Sequence, residues 1–72
     1  MIGVVDRWFP RRGFGFIRPA DGSTDMFCHI RSVVGDRDEL SVGDKVEYDE
    51  EQDDRSGKWR AADVHVLQRA AS

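Results

Sequence analysis

Short stretches in which apolar and polar residues alternate recur along the whole chain, and a period of two is typical of strands with one buried face. The alternation and the turn residues between the stretches predict five strands and no convincing helix. The predicted strands are Ile2 to Phe9, Phe14 to Arg18, Met26 to Ile30, Lys45 to Asp49 and Ala62 to Leu67. Pro10 and Pro19 follow the first two strands, where proline ends pairing.

Two longer polar segments separate the later strands. The first runs from Arg31 to Asp44, with a candidate helical turn at residues 32–34, and the second is the acidic run at residues 49–54 and its continuation through Gly57.

A chain of 72 residues is one domain. We place that domain at residues 1–67 and predict a flexible C-terminal tail at residues 68–72. Five short strands around one small core favour an all-β, five-stranded barrel.

Charge divides the chain into two unlike halves. Residues 1–35 carry five Arg and three Asp (+2), whereas residues 36–72 carry six basic and eleven acidic residues (−5). The net charge of −3 argues against a non-specific coat for duplex DNA, which is normally basic. We expect the acidic half to repel a phosphate backbone and to confine a bound strand to the other face.

Several classes of function find no support in the composition. A single cysteine excludes an internal disulfide, and no secretory signal or membrane span is apparent, so we expect a cytoplasmic protein without membrane contact. Cys28, His29 and His65 cannot assemble a four-ligand zinc site. No nucleophile–base pair stands out, and we expect neither enzymatic activity, nor a cofactor, nor a small-molecule substrate.

The strongest functional signal is a cluster of aromatic residues, since residues 8–29 hold five of the seven aromatics in the chain. Phe14 and Phe16 share one strand face, and Phe27 shares a face with His29 on the next strand. Arginines at positions 11, 12 and 18 flank the first pair. Rings on one sheet face edged by guanidinium groups suit unpaired bases and their phosphates. The opposite faces supply a core from Ile17, Met26, Cys28 and Ile30.

Arg12-Gly13-Phe14-Gly15-Phe16-Ile17 matches an aromatic ribonucleoprotein signature. We interpret its glycines as adding no side chain between the rings, so that bases can approach the rings closely. The RNA recognition motif shares this signature but needs two helices and a second aromatic signature upstream. Here the second signature, Met26 to His29, lies downstream, which argues strongly against that motif.

The chain closely resembles the cold-shock domain family from about Gly3 to Leu67, most specifically between Arg12 and His29. The resemblance implies an oligonucleotide-binding (OB-fold) barrel of five antiparallel strands that binds single-stranded RNA and single-stranded DNA with low sequence specificity. It also implies an RNA chaperone that affects transcription or translation. The predicted nucleic-acid-binding residues, from the resemblance and the pattern together, are Arg7, Trp8, Phe9, Arg11, Arg12, Phe14, Phe16, Phe27, His29, Ile30, Lys58, Trp59 and Arg60.

The resemblance is incomplete at three places. An ungapped alignment from Gly3 puts Arg7 at the usual Trp position and Trp8 at the usual Phe position; aligning Trp8 with the usual Trp requires an extra residue in the strand. We favour the ungapped register. Ile30 replaces a usual Phe, and the loop from Gly35 to Leu40 lacks an aromatic residue. Each stacked base contributes about 1–3 kcal/mol, so we expect weaker binding or a shorter site than in a fully aromatic member.

The same sequence features also suit one alternative function. A barrel with a reduced aromatic surface and an acidic half would also suit a protein–protein interaction module with weakened nucleic-acid binding. We expect a monomer, with weak dimerisation through the exposed rings as the other option.

Overall fold

The computed structural model describes residues 1–35 and 40–70. It is a closed barrel of five strands in the spatial order β1-β2-β3-β5-β4, with β4 pairing back onto β1. In chain order the elements are β1 (Ile2–Phe9), β2 (Phe14–Pro19), β3 (Met26–His29), a one-turn 3-10 helix (Ile30–Ser32), β4 (Lys45–Gln52) and β5 (Trp59–Gln68). The predicted all-β barrel is therefore confirmed.

Strand pairing differs from the prediction at one seam of the barrel. Four of the five pairings are antiparallel, but β3 runs parallel to β5, with Phe27 opposite Arg60. A parallel pair needs a long connection, and the segment from Ile30 to Lys58, which includes β4, supplies it. Strand β5 bends at Asp63, whose φ is +49°, where its pairing with β4 shifts register. The start of β5 thereby lies beside β3.

The interior holds one hydrophobic cluster contributed by all five strands and the loop before β4. Its buried members are Val5, Ile17, Met26, Cys28, Leu40, Val46, Tyr48, Ala61 and Val64. Three of the four predicted core residues belong to it. Ile30 does not, because the chain leaves β3 after His29 and Ile30 begins the 3-10 helix, where it is only half-buried.

The acidic run departs most from its predicted conformation. Residues 49–52 continue β4 and pair with the first four residues of β5, so only the stretch from Asp53 to Lys58 forms the connecting turn. Strand β5 likewise begins three residues earlier than predicted, at Trp59. Pairing between the two strands thus overrides the weak strand preference of Asp and Glu.

The end of the described chain is tied to the barrel by a buried carboxylate. Asp44 is 1% exposed and accepts hydrogen bonds from the Ala70 N–H (2.8 Å) and the Ser41 N–H (3.0 Å). A buried carboxylate requires such donors. The predicted tail at residues 68–72 therefore begins with residues that are bonded to the barrel; residues 71–72 lie outside the described part.

Candidate nucleic-acid interface

Four of the predicted binding rings lie side by side on the outside of β2 and β3. Phe14 is paired with His29 and Phe16 with Phe27 across the two strands. All four are half-buried, and they alternate with fully buried neighbours. The Phe27 ring centroid lies 5.4 Å from that of Phe14 and 6.0 Å from that of Phe16. Phe9 joins this group, since its centroid is 5.3 Å from that of Phe14. We call these five rings the ring surface.

A bulge in β1 decides which of its residues reach the ring surface. Pairing of β1 with β2 shifts register between Val5 and Arg7, and an extra residue in a strand reverses the faces that follow. Val5 therefore points into the barrel, whereas Arg7 and Phe9 both point outward. Trp8 lies opposite Gly15 on the inner side and packs against the core. It is thus on the other side of the strand from the surface on which we expected it to stack bases.

Gly15 has a different structural role from the one inferred from the sequence. It is buried, and a Cβ on it would collide with the carbonyl oxygen of Arg7 and lie 2.5 Å from Cε3 of Trp8. The interpretation that this glycine clears space for bases was wrong. It clears space on the inner side, where β1 and the indole of Trp8 approach β2.

Basic side chains border the ring surface on the β1–β2 side. Arg7 lies opposite Phe16, and Arg11 and Arg12 are exposed in the turn that joins the strands. Arg18 continues the outer face of β2 but is engaged with carboxylates, at 3.3 Å from Asp6 and 3.9 Å from Asp25. Arg7, Arg11 and Arg12 are therefore the better-placed cations here.

The start of β5 borders the opposite side of the ring surface. Lys58, Trp59 and Arg60 line a depression of about 420 Å³ together with Phe16 and Phe27. Trp59 is 53% exposed there, which is unusual for so large an apolar side chain. The structure thus brings these three predicted residues, about thirty positions after the end of β3 in the sequence, next to the rings.

Acidic residues also border this side, contrary to the expectation that the acidic half lies away from the bound strand. Glu50 and Asp53 each line a depression that contains Phe16 and Phe27, and Glu51 lines another with Phe27 and His29. A hydrogen bond from the Arg55 N–H lowers the pKa of Asp53, which stays anionic. Strand β4 carries these carboxylates to the interface because it continues to Gln52.

His29 ends β3 and caps the helix that follows. Its Nδ1 accepts a hydrogen bond from the Arg31 N–H (3.1 Å). In the neutral imidazole this fixes the remaining proton on Nε2, which is then a donor. Ile30 follows, and its N–H donates to the Gly13 carbonyl (2.8 Å), which holds Ile30 at the edge of the ring surface. The predicted loop without an aromatic, Gly35 to Leu40, has residues 36–39 outside the described part.

Cys28 lies in the buried core. Burial raises the pKa of the Cys28 thiol to about 11, so the thiol is protonated and inaccessible at neutral pH. Within residues 1–35 and 40–70, no three His, Cys, Asp or Glu side chains are grouped to hold a metal ion. In the same residues, no helix has the length and apolar character needed to cross a membrane.

Comparison with known proteins gives a consistent result. Residues 1–67 match the model of the "cold-shock" DNA-binding domain family. The chain is 48% identical over 63 residues to a probable cold shock protein of Sinorhizobium fredii, covering 83% of this chain and 90% of that protein. It is 49% identical over 63 residues to cold shock protein CspA of Rhizobium meliloti, with the same coverage. It is also 41% identical over 69 residues to cold shock-like protein CspI of Escherichia coli, covering 93% and 91%.

Proposed function

Because this chain belongs to the cold-shock DNA-binding domain family, we propose that it binds single-stranded RNA and DNA and acts as an RNA chaperone. The domain is a nucleic-acid-binding one, and the proposal adds the single-stranded substrate, the low sequence specificity and the chaperone activity. It also includes a non-enzymatic function without a cofactor, a cytoplasmic location and a monomeric state.

The ring surface is the structural feature that supports binding of single strands. Neighbouring ring centroids lie between 5.3 and 6.5 Å apart, and their planes are mutually tilted rather than stacked on one another. The outer faces of the rings are therefore available to successive bases, which stack on aromatic side chains without regard to sequence. Bases in a duplex are already stacked and paired, so the same surface discriminates against double strands.

Two groups of cations are placed to meet phosphates on either side of the rings. We assign Arg7, Arg11 and Arg12 to one side and Lys58 to the other, where Arg60 also lies but is ion-paired with Glu51 at 3.2 Å. Binding through at most five phosphate contacts predicts a shallow salt dependence, with a slope of log K against log salt no steeper than about −4 for a single strand. Trp59 adds a platform at the rim, Ile30 adds an apolar edge, and Trp8 supports Gly15 from the inner side.

The chaperone activity follows from binding one state of the RNA. A protein that binds unpaired strands and not duplexes shifts the pairing equilibrium by mass action and needs no ATP. The effect grows with the ratio of free protein to its dissociation constant. Weak hairpins would open first. We propose that the domain affects transcription or translation by opening such hairpins.

Tryptophan fluorescence tests the proposal directly, because the two indoles differ in exposure. We expect oligo-U and oligo-dT to quench the emission through Trp59, with little effect from a duplex of the same length. The Trp59→Phe variant should lose most of the quenching, since the remaining Trp8 faces the core. Trp8→Phe is the matched control and should retain it.

The titration also separates this function from the alternative. Absence of binding by any single strand at low salt, in fluorescence and calorimetry alike, would contradict the proposal. That result would favour a barrel whose surface serves protein partners instead.

A further inference from the structure

We propose that Glu51 makes this surface prefer guanine at one position of the bound strand; the inference rests on the proposed function and deepens it. Three residues lie in one row across three strands, since Phe27 is paired with Arg60 and Arg60 with Glu51. Arg60 Nη2 lies 3.2 Å from Glu51 Oε1. An anion thus lies in the same row as a stacking ring, whereas a purely electrostatic phosphate site would hold only cations.

These residues line one concave site. The depression encloses about 350 Å³ and is lined by Phe27, His29, Arg31, Ser32, Glu51 and Arg60. Strands are about 4.8 Å apart, so Glu51 lies two strands, about 10 Å, from Phe27 at the backbone. A base stacked on Phe27 therefore directs one edge toward the carboxylate.

The site offers a specific pattern of donors and acceptors. A carboxylate accepts at both oxygens, and only Oε1 of Glu51 is engaged with Arg60. Guanine alone presents two adjacent donors, N1–H and N2–H, on its Watson–Crick edge, with the acceptor O6 beside them. Arg31 and Arg60 supply guanidinium donors in the same depression, so an anionic acceptor and cationic donors together match that edge.

The other bases fit less well for a physical reason. Uracil and thymine carry a single N–H between two carbonyl oxygens, which a carboxylate repels. Adenine and cytosine place one amino group beside an unprotonated ring nitrogen, which it also repels. The Glu51 and Arg60 side chains are 54% and 46% exposed, so water moderates these effects. We expect a preference of about 5- to 20-fold, in the lower part of the range for a bidentate base contact.

The test compares U7 with seven strands in which a single G replaces U at each position in turn. We expect one position of G to strengthen binding 5- to 20-fold. Inosine at that position, which lacks the N2 amino group, should lose most of the gain. Glu51→Gln keeps the size of the side chain and an acceptor for Arg60. We expect it to remove the preference and to bind U7 several-fold more tightly, because the repulsion is gone.

Glu47→Gln is the matched control. Glu47 lies on the same strand with the same charge, but it is paired with Ile2 and His65, away from the rings. This variant should keep the guanine preference. Binding of U7 with no gain at any position of G, or a gain that survives Glu51→Gln, would overturn the inference and leave the proposed function intact. Failure of every strand to bind would overturn both.

Discussion

Replacing Phe16 and Phe27 together by alanine is expected to weaken binding of oligo-U by roughly 30-fold to 20,000-fold without unfolding the domain. Each stacked base contributes about 1–3 kcal/mol, and the two rings are paired neighbours within the ring surface. Neither belongs to the buried cluster. Their loss removes four ring pairs, two with Phe14, one between the two rings and one with His29. Each pair contributes about 0.5–1.5 kcal/mol, so the domain becomes less stable while its buried cluster stays intact. Calorimetry gives the affinity and circular dichroism the fold.

Leu67→Ala is the control for this experiment. Leu67 is also apolar and 50% exposed, but it lies at the far end of β5 from the rings. Its replacement should leave the affinity unchanged. A double variant that is folded and binds as tightly as the original chain would show that bases do not stack on these rings.

Gly15→Ala is expected to destabilise the domain by about 3 kcal/mol or more, at the upper end for an inserted methyl group. The new Cβ would collide with the backbone carbonyl of Arg7 and lie 2.5 Å from the Trp8 ring, and backbone atoms in a paired strand cannot move aside. A domain of this size is stable by about 4–11 kcal/mol, so a large part of the stability would be lost. Urea unfolding measures the change.

Gly22→Ala is the matched substitution at an open position. Among the residues that the structure describes, no atom lies within 4 Å of its added Cβ, so the cost comes from its φ of +82°, about 1–2 kcal/mol. Gly15→Ala should therefore be clearly the less stable of the two. Equal stability would mean that β1 does not approach β2 as closely as the structure shows.

The positions of β2 and β3 follow from features that are local in the sequence. Alternation and prolines place β2 within one residue, and β3 begins where the pattern predicts. The pattern does not contain the parallel pairing of Phe27 with Arg60, because barrel closure depends on a contact between distant segments. For the same reason the extension of β4 to Gln52 was not predictable: strand pairing stabilises residues whose composition favours a loop.

Part of the interface could likewise be predicted from local sequence features, and part depends on long-range contacts that the sequence does not reveal. A period of two puts Phe14 and Phe16 on one face of β2, and likewise Phe27 and His29 on one face of β3. The pairing of the two strands then brings both pairs onto one surface. A single bulge at Asp6 reverses the faces after it, and no residue type marks that bulge in the sequence, so Trp8 was expected on the wrong side. Neither the spacing nor the charge pattern predicts that the acidic strand would border the rings.

Mapping of amide chemical shifts during an oligo-U titration would show directly whether an unpaired strand lies across the ring surface. We expect the largest shifts on β2, β3 and residues 58–60, with little change at Glu47 and Leu67. Shifts confined to the end of the barrel that holds Glu47 and Leu67, with the ring-bearing strands unchanged, would contradict this expectation.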